Sequence, residues 1–314
     1  MNTLLKIMEP DCMKSIKHFF ELLPPISPVP SGVSSHIPER SDMNIKCVIF
    51  DIYGTMLISE SGDIDSSHLS QNAALTALNE SGVGLANVTS SVIAEKILRL
   101  YRQFIAEATV EMRANGISYP EIEIREIWKK IIAKLLRDKD IEPIPDAIDF
   151  SRLASIFEAL NNPVWPMPSM LEVLKNLNGR NIPVGIISNA QFYTPMLMNY
   201  FLTGHPGNDE TICFFDPELM MFSYREKRSK PDKTLFSKIA ERCRNKYALQ
   251  PEQVLFVGND MYKDIWPAAQ TGFRTALFAG DLRSLRMRED KAAIAGLKPD
   301  FTINRLEQIM EIVK

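Results

Sequence analysis

The chain has 314 residues, of which 45% are hydrophobic and 24% charged, which is enough apolar material for one large domain or two smaller ones. Its formal net charge of -3 gives no electrostatic reason to expect nucleic acid or an anionic membrane as a partner. The four cysteines are widely spaced and form no C-x-x-C pair, which argues against a disulfide framework or a zinc site and favours a reducing, cytoplasmic setting.

Residues 1–42 are predicted to be an N-terminal extension, made of a short helix followed by a Pro/Ser-rich tether without regular structure. The favoured interpretation is a poorly ordered terminus, and the alternative is an arm that covers another domain or another molecule. Met43 directly precedes the first predicted strand and is a candidate natural start. No apolar stretch approaches the roughly 18 residues of a membrane span, and no export signal is recognised.

Four short apolar segments alternate with helical segments in the rest of the chain, and each is predicted to be a strand buried on both faces. They are CVIFD (47–51), PVGIIS (183–188), VLFVG (254–258) and TALFA (275–279). This alternation predicts an α/β fold with a doubly wound, Rossmann-like parallel sheet. DFTI (300–303) predicts an edge strand that precedes a closing helix.

The interval between the first two strands differs, because it contains helical patterns and no convincing strand. The helical segments are SQNAALTALNESG, SVIAEKILRLYRQFIAEATVEMRANG, EIREIWKKIIAKLLRD and DFSRLASIFEALN. An insertion of this size is too long for a crossover connection. We therefore expect a helical cap domain at residues 60–165, above the carboxyl edge of an α/β core formed by residues 43–59 and 166–314.

Polar residues follow the predicted strands, at the sheet edge where open α/β folds bind ligands. They are Asp51, Ser188 and Asn189, and Asn259 and Asp260 directly after Gly258, joined by Lys230 from the loop SKPD. Asp51 is a candidate carboxylate nucleophile that forms a covalent acyl intermediate, which water then cleaves. Lys230 would neutralise substrate charge, while Ser188, Asn189 and the turn at 53–55 would bind oxyanions. Asp260 beside Asp51 would supply the hard oxygen ligands that Mg²⁺ prefers.

The segments DIYGT, ISNAQ, the lysine of SKPD, and GNDMYKD resemble the four motifs of the haloacid dehalogenase superfamily, and they occur in the same order. The helical insertion resembles the first-position cap domain of that superfamily. The resemblance covers roughly residues 45–310. It implies a hydrolase acting on a small anionic molecule, which in most members is a phosphate ester cleaved with Mg²⁺.

The resemblance also implies roles for individual residues. Asp51 is the nucleophile, Thr55 orients it, Ser188 or Asn189 contacts the transferred group, and Lys230 is the catalytic cation. The metal ligands that it implies are Asp51, Tyr53, Asn259 and Asp260, with Asp264 in a supporting place. Asp264 has a structural alternative, in which it orients Lys230 or caps the following helix.

Three positions depart from the family patterns, and they do not all point in the same direction. Tyr53 stands where phosphatases of the family carry an aspartate as acid and base, and a phenol with a reference pKa of about 10 is a poor base. Tyrosine at this position resembles the 2-haloacid dehalogenases, in which halide leaves without a proton. Motif four retains Asp260 and Asp264, which favours a cation, although Asn259 occupies the usual first acid position. Phe236 stands where dehalogenases commonly have tyrosine.

Substrate contacts from the cap are predicted at Arg102 or Arg125, since guanidinium groups bind anions in a bidentate manner. The favoured alternative is that these are solvated helix charges, with Trp128 in the cap core. The polar loop GDLRSLRMRED (280–290) is interpreted as a surface excursion, and no mechanism is assigned to it.

These observations predict a hydrolase with an aspartyl intermediate, favouring a Mg²⁺-dependent phosphatase acting on a small phosphorylated metabolite. The alternatives are a metal-independent 2-haloacid dehalogenase and a catalytically retired binding protein with the same fold.

Overall fold

The computed structural model describes residues 25–38, 44–59, 69–86, 88–142, 147–208 and 210–313. Its strands are β1 (Cys47–Phe50), β2 (Leu57–Ser59), β3 (Val164–Pro166), β4 (Val184–Ser188), β5 (Met220–Phe222), β6 (Val254–Gly258), β7 (Arg274–Phe278) and β8 (Phe301–Ile303). Six of them form a parallel sheet in the order β5-β4-β1-β6-β7-β8, while β2 and β3 pair as a separate antiparallel ribbon. The predicted parallel α/β sheet and its edge strand are therefore confirmed.

Alternate residues of β1 are buried on opposite faces of the sheet, because both faces are covered by helices. Val48 and Phe50 belong to the larger apolar core, whereas Cys47 and Ile49 pack in a second core beneath the opposite face. This burial on both sides explains why the sequence of the strand is uniformly apolar rather than alternating.

In the described part of the interval between β2 and β3, the structure has four helices, namely α1 (Gln71–Glu80), α2 (Ser90–Ala114), α3 (Ile124–Arg137) and α4 (Phe150–Asn161). All four helices predicted for the insertion are present. Tyr101, Trp128 and Phe157 pack together with ring centroids 5.1 to 5.9 Å apart, so Trp128 lies in the core of this helical layer as expected.

The remaining helices flank the parallel sheet. They are α5 (Met170–Gly179), α6 (Thr194–Thr203), α7 (Ser223–Glu226), α8 (Lys233–Tyr247), α9 (Trp266–Thr271) and α10 (Ile309–Ile312), with a π-helical turn at Met261–Ile265. Asp232 is the N-cap of helix α8, and its side chain accepts the N–H of Thr234 at 2.9 Å. The apolar stripe of α8, formed by Leu235, Ile239 and Cys243, faces the sheet. No helix among the described residues is both long and apolar enough to cross a membrane.

Residues 25–38 are irregular, as predicted, but they are fastened to the α/β core. Val29 N donates to Asp281 Oδ1 at 2.9 Å, and His36 exchanges two backbone hydrogen bonds with Thr302 of β8, at 2.7 and 3.0 Å. The expectation of a poorly ordered extension is therefore wrong for this segment. The predicted N-terminal helix lies outside the described residues.

Candidate active site

Asp51 and Lys230 form a buried ion pair at the carboxyl end of β1. Lys230 Nζ lies 2.6 Å from Asp51 Oδ1 and 2.6 Å from Asp264 Oδ1. Burial lowers the pKa of Lys230, but the charges of Asp264 and Asp51 outweigh it and leave the pKa above its ordinary value. The ammonium therefore stays charged between two carboxylates.

Chain topology brings these three residues together. Strand β1 pairs with β4 on one side and β6 on the other, so the direction of winding reverses at Asp51. Asp264 enters from the π-helical turn after β6, and burial raises its pKa. Its Oδ2 accepts the N–H of Asp260 at 3.0 Å, so Asp264 connects Lys230 to the backbone of motif four.

Asn189 contacts the backbone of Lys230. Its Oδ1 accepts the Lys230 N–H at 2.6 Å, and its Nδ2 donates to the Lys230 carbonyl at 3.4 Å. Ser188 is 1% exposed, and its Oγ donates a long hydrogen bond of 3.5 Å to the Asn189 carbonyl. Asn189 lines the cavity of the site, whereas Ser188 is not among its described lining residues. This geometry gives Asn189 a role in positioning Lys230.

Tyr53, in the turn after Asp51, lines the same cavity as Asp51. The Tyr53 hydroxyl lies 2.8 Å from Thr194 Oγ1 at the start of α6. Burial raises the pKa of Tyr53 well above its ordinary value, so the phenol remains protonated at neutral pH. Thr55 Oγ1 donates to Asn259 Oδ1 at 3.1 Å, which ties the turn to motif four.

The carboxylate of Asp260 is surrounded by donors from the protein itself. Its Oδ1 accepts the backbone N–H groups of Tyr262 at 2.8 Å and Lys263 at 2.9 Å. Its Oδ2 accepts from Arg288 Nε at 2.9 Å and Nη2 at 2.8 Å. Both oxygens of Asp260 are therefore used within the protein.

Arg288 belongs to the loop between β7 and β8. The sequence analysis interprets this loop as a surface excursion. That expectation is wrong, because Asp281 and Ser284 are 1% and 0% exposed. The Ser284 carbonyl accepts from Asn259 Nδ2 at 2.5 Å. One sequence feature could have indicated a role for this loop in the site. It contains three closely spaced arginines, Arg283, Arg286 and Arg288, soon after a strand that ends at the ligand-binding edge.

The four helices after β2 contribute a loop that lies against the core beside Lys230. The Ser229 N–H donates to the Tyr119 carbonyl at 2.8 Å, and the Glu121 N–H donates to the Lys227 carbonyl at 3.3 Å. Glu121 Oε1 accepts from Gln191 Nε2 at 2.7 Å. Burial raises the pKa of Glu121 to about 7. Sequence reasoning noted Glu121 among the residues of the cap but gave it no role in the site, because no motif marks it.

A cavity of about 700 Å³ opens between this helical layer and the sheet edge. Asp51, Lys230 and Asp264 line it from the core, and Arg102 and Glu158 line it from the helices. Burial raises the pKa of Glu158 to about 7, while a hydrogen bond to Tyr193 acts in the opposite direction.

Arg125 is not among the described residues that line this cavity. Its guanidinium lies 4.2 Å from the ring centroid of Phe192, and its Nε lies 2.9 Å from Glu123 Oε2. The prediction that Arg125 reaches the substrate is therefore not supported, because the side chain is engaged outside the cavity.

The side chains of the site do not fit the expected Mg²⁺ ligands. Asp260 is saturated by four N–H groups, the Asn259 amide bonds to Thr55 and Ser284, and Asp51 is paired with Lys230. The Tyr53 hydroxyl is directed to Thr194. In the part of the chain that the structure describes, no group of three His, Cys, Asp or Glu residues is arranged to hold a metal ion.

The comparisons with known proteins agree with this fold. The family model of haloacid dehalogenase-like hydrolases matches residues 45–272. A 2-haloacid dehalogenase from Pseudomonas syringae pv. Tomato DC3000 has 18% identity over 85% of this chain and 97% of that chain, with a TM-score of 0.51. That similarity shows a shared fold.

Two further solved structures resemble the chain. L-2-haloacid dehalogenase from Xanthobacter autotrophicus has 21% identity over 85% of this chain and 98% of that chain, with a TM-score of 0.45. A HAD phosphatase from Thermococcus onnurineus has 15% identity over 85% of this chain and 97% of that chain, also with a TM-score of 0.45. No curated protein sequence matches the chain.

Proposed function

Because the chain belongs to the haloacid dehalogenase-like hydrolases, we propose that it is a metal-independent hydrolase in which Asp51 displaces an anionic leaving group, as in a 2-haloacid. The observation that carries this proposal is the placement of Tyr53. Its hydroxyl is held by Thr194 and its raised pKa keeps it protonated, so the position two residues after the nucleophile offers no general base. A halide leaves with its electron pair and needs no proton from that position.

The reaction has two balanced steps. An Asp51 carboxylate oxygen attacks the carbon that bears the halogen, the carbon–halogen bond breaks, and halide leaves with the bonding electrons. Water then attacks the carbonyl carbon of the Asp51 ester. One water proton passes to the released alkoxide oxygen and the other to solvent water, and the products are a 2-hydroxy acid and the Asp51 carboxylate.

Acidic and basic side chains both line the cavity, and the basic ones could bind an anionic substrate. Lys230, Arg102 and Arg286 line the same cavity as Asp51 and would attract a substrate carboxylate. A cavity of about 700 Å³ is within the range of ligand pockets and larger than a three-carbon acid requires. We therefore expect longer 2-halo acids to be better substrates than 2-chloropropionate.

The test is halide release from a series of 2-chloro acids of increasing chain length, with and without EDTA. The proposal predicts turnover that EDTA does not change and that Asp51→Asn abolishes. With wild-type protein in H₂¹⁸O, mass spectrometry of the Asp51 peptide should show ¹⁸O in the carboxylate, because water attacks the Asp51 ester. Activity confined to phosphate esters and abolished by EDTA would contradict the proposal.

A second candidate is the expected phosphatase, and Glu121 is the observation that favours it. The Glu121 carboxyl lines the cavity and has a pKa raised to about 7, so it could supply the proton transfer that Tyr53 cannot. On this alternative, the protein releases phosphate from a panel of phosphomonoesters, and Glu121→Gln lowers kcat with the larger loss for poor leaving groups. Absence of turnover on both panels would favour the catalytically retired binding protein.

A further inference from the structure

The loop between β7 and β8 holds Arg288 against motif four through backbone pairing. The Arg286 N–H donates to the Asn259 carbonyl at 3.0 Å, and the Met261 N–H donates to the Arg286 carbonyl at 2.9 Å. These two bonds form a parallel bridge that fixes the register of the loop. Arg288, two residues further on, has φ 53°, a left-handed conformation that side chains rarely adopt. Tertiary contacts therefore hold this part of the loop in its unusual conformation.

The ion pair between Arg288 and Asp260 has the geometry of a strong interaction that is largely shielded from solvent. Two guanidinium nitrogens share the one oxygen Oδ2, while two backbone N–H groups occupy Oδ1. A carboxylate has about four lone-pair sites, so all of them are used. The side chain of Asp260 is 7% exposed and that of Arg288 is 25% exposed, which limits screening by salt.

A fixed guanidinium at this place has two electrostatic consequences. It neutralises Asp260, which would otherwise add a negative charge close to Asp264 and Asp51, and it does so at every physiological pH because arginine stays protonated. It also repels a second cation, and a divalent ion would have to displace two charge-assisted hydrogen bonds to reach Asp260.

We propose that Arg288 replaces a divalent cation in this site: its guanidinium neutralises Asp260 and keeps metal ions away from the motif-four carboxylates. Arg288 is a positioning residue, because it acts through Asp260. Asp260 caps the π-helical turn that presents Asp264 to Lys230. The retained acids of motif four therefore have a partner within the chain. The inference agrees with the proposed metal-independent function, but its test uses no substrate and can fail separately.

The test measures Mn²⁺ binding to the full chain after EDTA treatment, by electron paramagnetic resonance of the free ion. For the wild type we expect no saturable site with a Kd below about 1 mM. Arg288→Ala frees Asp260 Oδ2 and should lower the Kd by at least about tenfold. The double variant Arg288→Ala/Asp260→Asn should return to the weak binding of the wild type.

Two further variants control for charge and for loop damage. Arg288→Lys keeps a positive charge and should continue to exclude Mn²⁺. Arg283→Ala removes the arginine that pairs with Asp281 in the same loop, away from motif four, and should leave Mn²⁺ binding unchanged. Circular dichroism checks that each variant is folded, and Arg288→Gln replaces Arg288→Ala if the latter does not fold.

Three results would overturn the inference. The first is micromolar Mn²⁺ binding by the wild type that Asp260→Asn abolishes. The second is unchanged binding in a folded Arg288→Ala or Arg288→Gln variant, and the third is a gain of binding that persists when Asp260 is also replaced. Failure of halide release with the expected Mn²⁺ results would contradict the proposed function and leave the role of Arg288 intact.

Discussion

At the scale of single residues, the charge of Lys230 is the feature on which the site depends. The side chain is 3% exposed and lies between two carboxylates, so its desolvation is compensated by Asp51 and Asp264 together. Removing the cation leaves two carboxylates facing each other in a buried space. We therefore expect Lys230 to contribute to the stability of the fold and, on the proposed function, to the reactivity of Asp51.

We expect Lys230→Met to lower the rate of the proposed halide release by roughly 10² to 10³, because the fixed positive charge beside the Asp51 carboxylate is lost. It should also lower the free energy of unfolding by about 3 kcal/mol, because one partner of a buried ion pair is removed. Single-turnover kinetics and urea unfolding measure the two effects. The matched control is Lys233→Met, at an exposed lysine of α8 that bonds to Gln270, where changes should stay within about 0.5 kcal/mol.

Glu158 provides a prediction about pH. Its pKa is raised to about 7 in the folded protein, against an ordinary value of 4.5, because the carboxyl is buried. As pH rises from 4.5 to 7, the unfolded chain loses this proton before the folded protein does, so the contribution of Glu158 to stability falls and then stays low above pH 7. Glu158→Gln cannot ionise and should be more stable than the wild type at pH 8, by at most about 3 kcal/mol.

Urea unfolding of the Glu158→Gln variant at pH 5 and pH 8 checks this sign. The difference from the wild type should be small at pH 5 and larger at pH 8. A difference that is the same at both pH values would show that Glu158 ionises in the folded protein as it does in the unfolded chain. Glu241→Gln, at an exposed position of α8, is the control.

At the scale of elements, the turn after β1 and the loop after β7 fit together at Gly54. This residue has φ +83°, and a Cβ added there would lie 2.5 Å from Ser284 Cβ and 2.6 Å from Asn259 Nδ2. The absence of a side chain at position 54 thus lets the loop that carries Arg288 approach the nucleophile turn.

We expect Gly54→Ala to combine backbone strain with this steric conflict. Gly116→Ala is a matched control. Gly116 also has φ +83°, but a Cβ added there would have no neighbouring atom within 4 Å. The control should lose about 1 kcal/mol of stability from strain alone, and Gly54→Ala should lose clearly more. Equal losses in thermal unfolding would mean that the loop moves aside without cost.

The elements that sequence patterns predict well are those with long or uniformly apolar segments, such as β1, β6 and the helices α1 to α4. The missed elements lack such a signal: β5 is three residues long, and α6 is apolar on nearly all sides, so neither shows a usable period. At the site, the order of the motifs predicts Asp51 and Lys230 as site residues, with Asp264 in a supporting place. It does not predict the contact of Arg288 with Asp260, because the register of a long loop depends on tertiary pairing.

At the scale of the whole molecule, the N-terminal segment contacts two neighbouring parts of the α/β core, β8 and the loop after β7. Residues 25–38 bond to β8 through His36 and to the loop after β7 through Val29. They therefore cover the exposed edge of the sheet, which would otherwise present unpaired backbone groups.

A chain that begins at Met43 should have a lower Tm, by several °C, because it lacks these hydrogen bonds and uncovers the β8 edge. The control is a chain that begins at residue 25, which keeps the contacts of residues 25–38. Differential scanning calorimetry compares the two with the full chain. An unchanged Tm for the chain that begins at Met43 would mean that the segment adds no stability.

The attachment of the Tyr119–Glu121 loop at Lys227 and Ser229 has a mechanical consequence. Ser229 directly precedes Lys230, so the backbone segment that carries the Lys230 ammonium also holds the helical layer against the core. If the helical layer moved outward to admit a substrate, these two hydrogen bonds beside Lys230 would have to lengthen or break. On the proposed function, we would then expect the Lys230–Asp51 ion pair to be weaker in the open protein and to re-form when the helical layer closes over a bound molecule.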